Sequence, residues 1–166
     1  MVHDTYSQFI KKNTFNLFYP HWGYELEIYP RPSIIRRMNK AISLYDAIIA
    51  HHGHTPQVIT TYRVHNNQRL CAYCLGDFLT GLPAPYYHYG IIVKLHIGRD
   101  LNASETWGVH NVEWKFVHTY PRNKEDVVVE FSDGFPFLDK RQGKDQIKQW
   151  KQKAPHVKGK KHPVYL

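Results

Sequence analysis

The fold is decided by residues 33–53, which read SIIRRMNKAISLYDAIIAHHG. Apolar side chains recur there at steps of three and four, the spacing of one face of an α-helix. Ser33 is a suitable N-cap and Gly53 a suitable C-terminal stop, so the stretch predicts one long amphipathic helix. Its outer face carries three basic residues: Arg36, Arg37 and Lys40.

The segments around this helix alternate apolar and polar residues, which is the two-residue period of half-exposed strands. Residues 24–29 alternate in this way before the helix and end at Pro30. Residues 58–65 and 68–75 flank Asn66-Asn67, which suit a tight hairpin turn. Three further strands are predicted at 87–97, 112–118 and 127–131. The sequence therefore predicts an α+β fold, with a mostly antiparallel sheet of about six strands packed against one long amphipathic helix.

The chain has 166 residues, the usual length of one domain. Residues 1–136 are predicted to form the core domain, with residues 1–23 as an N-terminal arm. Residues 137–166 are predicted to be a basic segment that is partly helical or disordered. This segment carries nine basic residues: Lys140, Arg141, Lys144, Lys148, Lys151, Lys153, Lys158, Lys160 and Lys161. Against Asp139 and Asp145 they give a net charge of +7, whereas the other 136 residues carry +1.

The chain contains no apolar run of the length that a signal peptide or a membrane span requires. It has two cysteines, Cys71 and Cys74, too few for a disulfide scaffold. We therefore expect a soluble intracellular protein, cytoplasmic or nuclear, that is neither secreted nor transmembrane.

The position of the positive charge predicts the function. A basic segment beside a nearly neutral core suits a polyanion, so we expect a non-enzymatic protein that binds DNA or RNA mainly through phosphates. Arg36, Arg37 and Lys40 would add contacts from the helix to those of the basic segment. An anionic membrane surface or an acidic protein would satisfy the same charges.

An alternative is a Mg²⁺-dependent nuclease. Asp100, Glu113 and Lys115 are spaced as Asp, twelve residues, Glu-x-Lys. This pattern resembles the active-site signature of the restriction-endonuclease-like nucleases. The resemblance implies that the two carboxylates bind Mg²⁺ and that the lysine helps to activate water. Glu113 and Lys115 are two residues apart on a predicted strand, and therefore share one face.

A second alternative is a self-assembling structural protein of the viral matrix type. The aromatic-rich arm, residues 1–23, would dock on a neighbouring copy, which implies a homo-oligomer. The basic segment, residues 137–166, would then hold a membrane or a genome.

Two further groups in the sequence contain residue types that bind metal ions. Cys71 and Cys74, with His54 and His65 upstream, offer four zinc ligands, but on a strand the two thiols would point to opposite faces. The run His51-His52-Gly53-His54 is interpreted as the polar end of the long helix. No cofactor is expected, and a metal ion, Mg²⁺, only under the nuclease alternative.

Overall fold

Two β-sheets and one α-helix make up the part of the chain that the structure describes. The structure is a computed structural model, and it describes residues 7–64, 67–99, 106–123 and 126–132. The strands are β1 (Leu17–Phe18), β2 (Ala47–Ile49), β3 (Ile59–Val64), β4 (Asn67–Ala72), β5 (Tyr89–Arg99), β6 (Trp107–Pro121) and β7 (Val127–Ser132). The helix, α1, spans Pro32–Ala41, and a 3₁₀ turn spans Pro85–His88.

The predicted fold class is wrong. Strand structure accounts for 47% of the described residues, and it is divided between a four-stranded and a three-stranded sheet. The one α-helix among these residues has ten residues. The molecule is therefore mostly β, and not an α+β fold in which one long helix packs on a single sheet of about six strands.

The helix is shorter than its sequence pattern suggests. α1 begins at Pro32, which suits the first helical position, and Arg31 rather than Ser33 occupies the cap. It ends at Ala41, well before Gly53. The first half of the predicted helix is thus confirmed and the second half is wrong.

The apolar residues that continue the helical pattern form β2 instead. Ala47 and Ile48 are completely buried, because β2 lies between β1 and β4 and is covered on both faces. A strand of this kind has an almost continuous apolar sequence. In the sequence, the apolar residues of β2 therefore continue the hydrophobic face of α1. Periodicity alone does not distinguish a buried strand from a further part of the helix.

The four-stranded sheet has the strand order β1-β2-β4-β3. β1, β2 and β4 are parallel, while β3 is antiparallel to β4. Ile48 pairs with Phe18 on one side and with Cys71 on the other. Since α1 connects β1 to β2, these elements form a β-α-β unit. The carboxyl ends of three strands consequently meet at one edge of the sheet.

The predicted hairpin is confirmed. β3 and β4 pair from Ile59 opposite Ala72 to Val64 opposite Asn67. Asn67 is thus a strand residue and not part of the connection. The two residues between the strands lie outside the described part of the chain.

The strand predicted at residues 24–29 is wrong. This segment is a turn and a bend, in which Leu26 has a φ of 60° and donates its N–H to the Gly53 carbonyl (2.9 Å). The Thr55 hydroxyl and the Gln57 side-chain amide both donate to the carbonyl of Glu27. The alternating residues therefore belong to a loop that is held against residues 53–57.

The three-stranded sheet is an antiparallel meander with the order β5-β6-β7. Its strands confirm the three predicted at 87–97, 112–118 and 127–131, and β6 is longer than predicted because it continues from Trp107 to Pro121. The pairing of β5 with β6 shifts register once, between His96 and Ile97.

The core consists of two apolar clusters, one on each face of the four-stranded sheet. On one face, Ile48 and Tyr73 pack with Met38 of α1. On the other face, Leu70 and Ala72 pack with residues of the second sheet, among them Ile91, Val109 and Phe116. The order of layers is therefore α1, the four-stranded sheet, and the three-stranded sheet.

The basic segment, residues 137–166, lies outside the described residues. All nine of its basic residues, from Lys140 to Lys161, are therefore outside the described part of the chain. Asp100, which precedes this segment, is also outside the described part. The division into a core of residues 1–136 and this segment stays a prediction. No helix in the described ranges combines the length and apolar character that crossing a bilayer requires.

Candidate metal centre at the edge of the parallel strands

Histidines and carboxylates follow the parallel strands of the first sheet. His21 comes shortly after β1, the run 51–54 follows β2, and Asp77 comes after β4. In sheets built from β-α-β units, ligands bind outside the carboxyl ends of the strands. The topology therefore gathers these side chains where a binding site is expected.

Backbone hydrogen bonds fix the loop after β1 against the loop after β2. The His51 N–H donates to the carbonyl of Pro20 (3.0 Å), and the Trp22 N–H donates to the carbonyl of His51 (3.2 Å). The Leu26 N–H bonds to Gly53 in the same way, at 2.9 Å. This pairing brings residues 20–26 beside residues 51–54, and so carries Glu25 to the histidines.

Glu25, His52 and His54 form a group suited to a metal ion. One potential ligand atom from each residue lies within 4.8 Å of the others. Glu25 is exposed, whereas both histidines are half-buried. Two imidazoles and one carboxylate are the donors of many catalytic zinc sites and of other divalent transition-metal sites, which keep a further position open.

Asp77 orients His54 within this group. The Nδ1 of His54 lies 2.9 Å from one carboxylate oxygen of Asp77 and 3.0 Å from the other. Because an ionised carboxylate only accepts hydrogen bonds, Nδ1 is the donor in this contact, and in a neutral ring the lone pair is then on Nε2. Metal-binding histidines commonly donate their second ring N–H to a carboxylate in this way.

The backbone of the histidine run is strained. His52 has a φ of 96° and His54 a φ of 55°, in the left-handed region that few side chains other than glycine adopt. Gly53 between them is buried, and a Cβ there would lie 3.3 Å from the Cys74 sulfur. Strain of this kind is concentrated at functional sites, where the surrounding structure maintains it.

A close crossing of backbones positions Asp77. Gly76, with a φ of 71°, forms an isolated bridge with Gly90 of β5. A Cβ on Gly90 would lie 2.3 Å from the Asp77 carbonyl oxygen, and one on Gly76 would lie 2.4 Å from that of Tyr89. The two sheets thus meet at glycines immediately beside the residue that holds His54.

Two more histidines adjoin the group. The His21 ring lies 4.5 Å from that of His52, and the His51 ring packs 4.1 Å from that of Tyr19. Burial, and then the charge of His21, lower the pKa of His51. Among the described residues, the buried Nε2 of His51 has no hydrogen-bond partner, which agrees with a neutral ring.

Two of the three candidate nuclease residues, Glu113 and Lys115, lie in the described part of the chain, on β6. Glu113 lies on β6, where it contacts His96 (2.7 Å) and Lys94 (3.4 Å). The hydrogen bond from His96, followed by that from Lys94, lowers the pKa of Glu113. The Lys115 ammonium lies 4.8 Å from the Phe131 ring. Asp100 is outside the described residues, so the full triad stays a prediction.

The cysteines are buried and separate from the metal-binding group. Cys71 packs in the apolar cluster beneath α1, whereas Cys74 lies beside Gly53. Burial raises the pKa of both thiols, which disfavours the thiolate that binds zinc. Neither belongs to the cluster of ligand atoms found in the described chain.

The sequence pattern draws attention to the histidine run but not to the other residues of the group. It placed His52 at a helix end and Glu25 on a strand, and it did not single out Asp77. The available signal was the His-His-Gly-His run itself, directly after an apolar segment that is now seen to be β2.

The fold and the site define a β-rich domain with a β-α-β unit and a candidate metal centre at the carboxyl edge of its parallel strands. Residues 7–82 match the family model described as bacterial capsule synthesis protein PGA_cap. The match includes α1, the first sheet and every residue of the candidate centre, and it leaves out the second sheet. No curated protein and no solved structure matches the chain.

Proposed function

We propose that the protein is a metal-dependent enzyme of bacterial surface-polymer synthesis. In this proposal Glu25, His52 and His54 hold a divalent transition-metal ion. The observation that carries it is the convergence of their three ligand atoms within 4.8 Å, inside the segment similar to the capsule synthesis family. A bound divalent cation would polarise a carbonyl or phosphoryl oxygen of the substrate.

The residues of the centre have distinct roles in this proposal. Asp77 keeps the proton on Nδ1 of His54 and thereby presents Nε2 to the cation. Glu25 forms the exposed side of the group, which leaves the solvent side open for substrate. The bridge between Gly76 and Gly90 fixes the backbone next to Asp77. The site is thus preorganised on one side and open on the other.

Metal binding tests this function directly. The protein is stripped with a chelator and then titrated with Zn²⁺, Mn²⁺ and Co²⁺ by calorimetry. We expect one ion per chain. His52→Ala and His54→Ala should each weaken binding by more than about 100-fold, because even residues that only support a ligand contribute about 10–100-fold.

The matched control is His110→Ala, which removes an exposed histidine on β6, outside the group. It should bind metal as the wild type does. Equal affinity of His52→Ala, His54→Ala and the control would refute the metal centre.

Nucleic-acid binding remains a second proposal, and it rests on the charge of +7 in residues 137–166. Removal of this segment should then abolish most binding to DNA or RNA, and the remaining binding should weaken with added salt. Unchanged binding by the truncated protein would exclude this role.

A further inference from the structure

The second sheet has an apolar face that is turned away from the core. Successive side chains of a strand alternate between its two faces, and Ile91 and Phe116 lie on the face that packs on the first sheet. On the opposite face, Phe131 of β7 pairs with Val117, and Val117 pairs with Gly90, two residues before Ile92. This face also carries Val127 and Val129 of β7, and four of its apolar side chains are exposed to solvent: Ile92, Val127, Val129 and Phe131.

The loop after β4 extends this face. The Thr119 hydroxyl donates a hydrogen bond to the carbonyl of Phe78 (2.7 Å), and Thr119 lies opposite Val129 in the strand pairing. The backbone at Phe78 therefore crosses β6 beside Val129. Because the side chains of Phe78 and Leu79 are exposed, the loop adds two apolar groups. We call the whole set the outer apolar face: Phe78, Leu79, Ile92, Val127, Val129 and Phe131. Exposed apolar groups that lie together in this way mark a site for a protein or a membrane.

Positive charge borders the outer apolar face. The Lys115 ammonium lies 4.8 Å from the Phe131 ring, and Lys94, two residues after Ile92, pairs with Glu113 at 3.4 Å. The chain leaves this face at Ser132, the last residue of β7. The basic segment, residues 137–166, begins five residues later and carries a net charge of +7. The largest charge of the chain is thus attached at the edge of the outer apolar face.

Apolar groups beside a basic segment fit the surface of an anionic lipid bilayer. Basic segments are attracted to anionic headgroups, and apolar side chains enter the boundary between the headgroups and the acyl chains. Attachment is stable when both signals act together. We infer that the outer apolar face and residues 137–166 bind the surface of an anionic bilayer, with Val129 and Phe131 entering the headgroup region.

A bilayer suits this face better than a nucleic acid or a second copy of the chain. A nucleic acid would contact the cations through its phosphates, but it would leave the exposed aliphatic side chains of Ile92, Val127 and Val129 without an apolar partner. A second copy bound through the same face would bring its own Lys115 and basic segment towards those of the first copy. Like charges that meet in this way oppose association.

The inference does not rest on the proposed function. No residue of the outer apolar face belongs to the group of metal-binding residues, and its strands lie outside the segment that matches the capsule synthesis family. Phe78 directly follows Asp77, whose side chain contacts His54. A bilayer on this face would therefore contact the loop that carries Asp77, whether or not the centre binds a metal ion.

Co-sedimentation of the full chain with lipid vesicles tests the inference. The vesicles contain either phosphatidylcholine alone or equal parts of phosphatidylcholine and phosphatidylglycerol, and binding is measured at low and moderate salt. The face variant is Leu79→Ser/Val129→Ser/Phe131→Ser. The control variant, Phe9→Ser/Leu17→Ser/Tyr19→Ser, changes apolar residues of β1 and its flanking segments, outside the outer apolar face. The two sets match in exposure, since Leu79 and Phe131 are 61% and 66% exposed and Tyr19 and Phe9 are 63% and 65% exposed. Circular dichroism melting verifies the fold of each variant.

We expect the wild type to bind the anionic vesicles but not the neutral ones, with salt weakening the binding. The face variant should lose about tenfold or more in affinity, and the control variant should stay within about twofold of the wild type. Removal of residues 137–166 should also cost about tenfold or more. Equal affinities of the face and control variants would overturn the inference. So would a wild type that binds labelled single-stranded RNA but no vesicles, or one that forms dimers which the face variant does not form.

A fluorescent label locates the contact without the triple variant. Both native cysteines, Cys71 and Cys74, are buried, so Val129→Cys can be labelled selectively with nitrobenzoxadiazole, whose emission rises in an apolar environment. The emission should rise when anionic vesicles are added. The same label on Leu17→Cys, at an exposed position of β1, should respond little. An emission at position 129 that does not change, or equal responses at the two positions, would contradict membrane contact through the outer apolar face.

Discussion

Replacement of Asp77 by asparagine tests how the centre is built. In the structure both carboxylate oxygens of Asp77 lie within 3.0 Å of His54 Nδ1, and the two side chains are 17% and 31% exposed. Asp77→Asn keeps the size of the side chain but removes its charge and one acceptor. The remaining amide oxygen is a weaker acceptor for the Nδ1 proton than the carboxylate, so the ring is held less firmly and Nε2 is a poorer ligand.

The expected loss in zinc affinity is about 10–100-fold, or about 1.4–2.8 kcal/mol. It is measured by competition with a chelator of known affinity at fixed pH. Asp126→Asn is the control, because that carboxylate is also hydrogen-bonded, to Asn123, but lies far along the chain in the turn before β7. Zinc affinity that is the same in Asp77→Asn and in the control would refute the assigned role of Asp77.

Two further predictions concern stability. Gly90→Ala should lower the free energy of unfolding in urea by about 3 kcal/mol, because the new Cβ would lie 2.3 Å from the Asp77 carbonyl oxygen. At Gly81 a new Cβ would meet open space, so Gly81→Ala should change the free energy of unfolding little. Equal losses of stability in the two variants would contradict the close crossing of the backbones at Gly90. His51 has a folded pKa below its unfolded value of 6.5, so the unfolded chain binds more protons and stability falls as pH drops through and below that value. His51→Gln should reduce the loss of stability at low pH. A loss as steep as that of the wild type would contradict the assignment of this pH dependence to His51.

Three of the strands that were predicted correctly, β3, β5 and β6, have a face that is at least partly exposed to solvent. β3, β5 and β6 alternate apolar and polar residues, and this period appears in the sequence without knowledge of their neighbours. The start of α1 was nearly right for the same reason, since Ile35 and Met38 face the core while Arg36 and Arg37 face solvent.

The buried strand could not be identified in this way. β2 is covered by α1 on one face and by the second sheet on the other, so Ala47–Ile49 has no polar side to mark its period. The order β1-β2-β4 follows from contacts between segments far apart in the chain. Without this strand order, the sequence does not distinguish a fold with a β-α-β unit from a fold in which a helix packs on an antiparallel sheet.

The candidate centre was missed because its residues meet only through that strand order. Glu25 and His52 are separated by α1 and β2, and Asp77 reaches His54 only after the β3-β4 hairpin. The positive φ values of His52 and His54 are also unexpected for histidine. The sequence shows that these residue types are present, but it does not show that they lie close together in the fold.

X-ray absorption spectroscopy of the zinc-loaded protein identifies the atoms that bind the metal ion. A metal ion bound by Glu25, His52 and His54 should have nitrogen and oxygen neighbours at about 2.0–2.1 Å, with the multiple-scattering pattern of two imidazoles. A sulfur shell at about 2.3 Å would place the metal on Cys71 or Cys74 instead and contradict the proposed centre. Failure of the protein to retain zinc would contradict it as well.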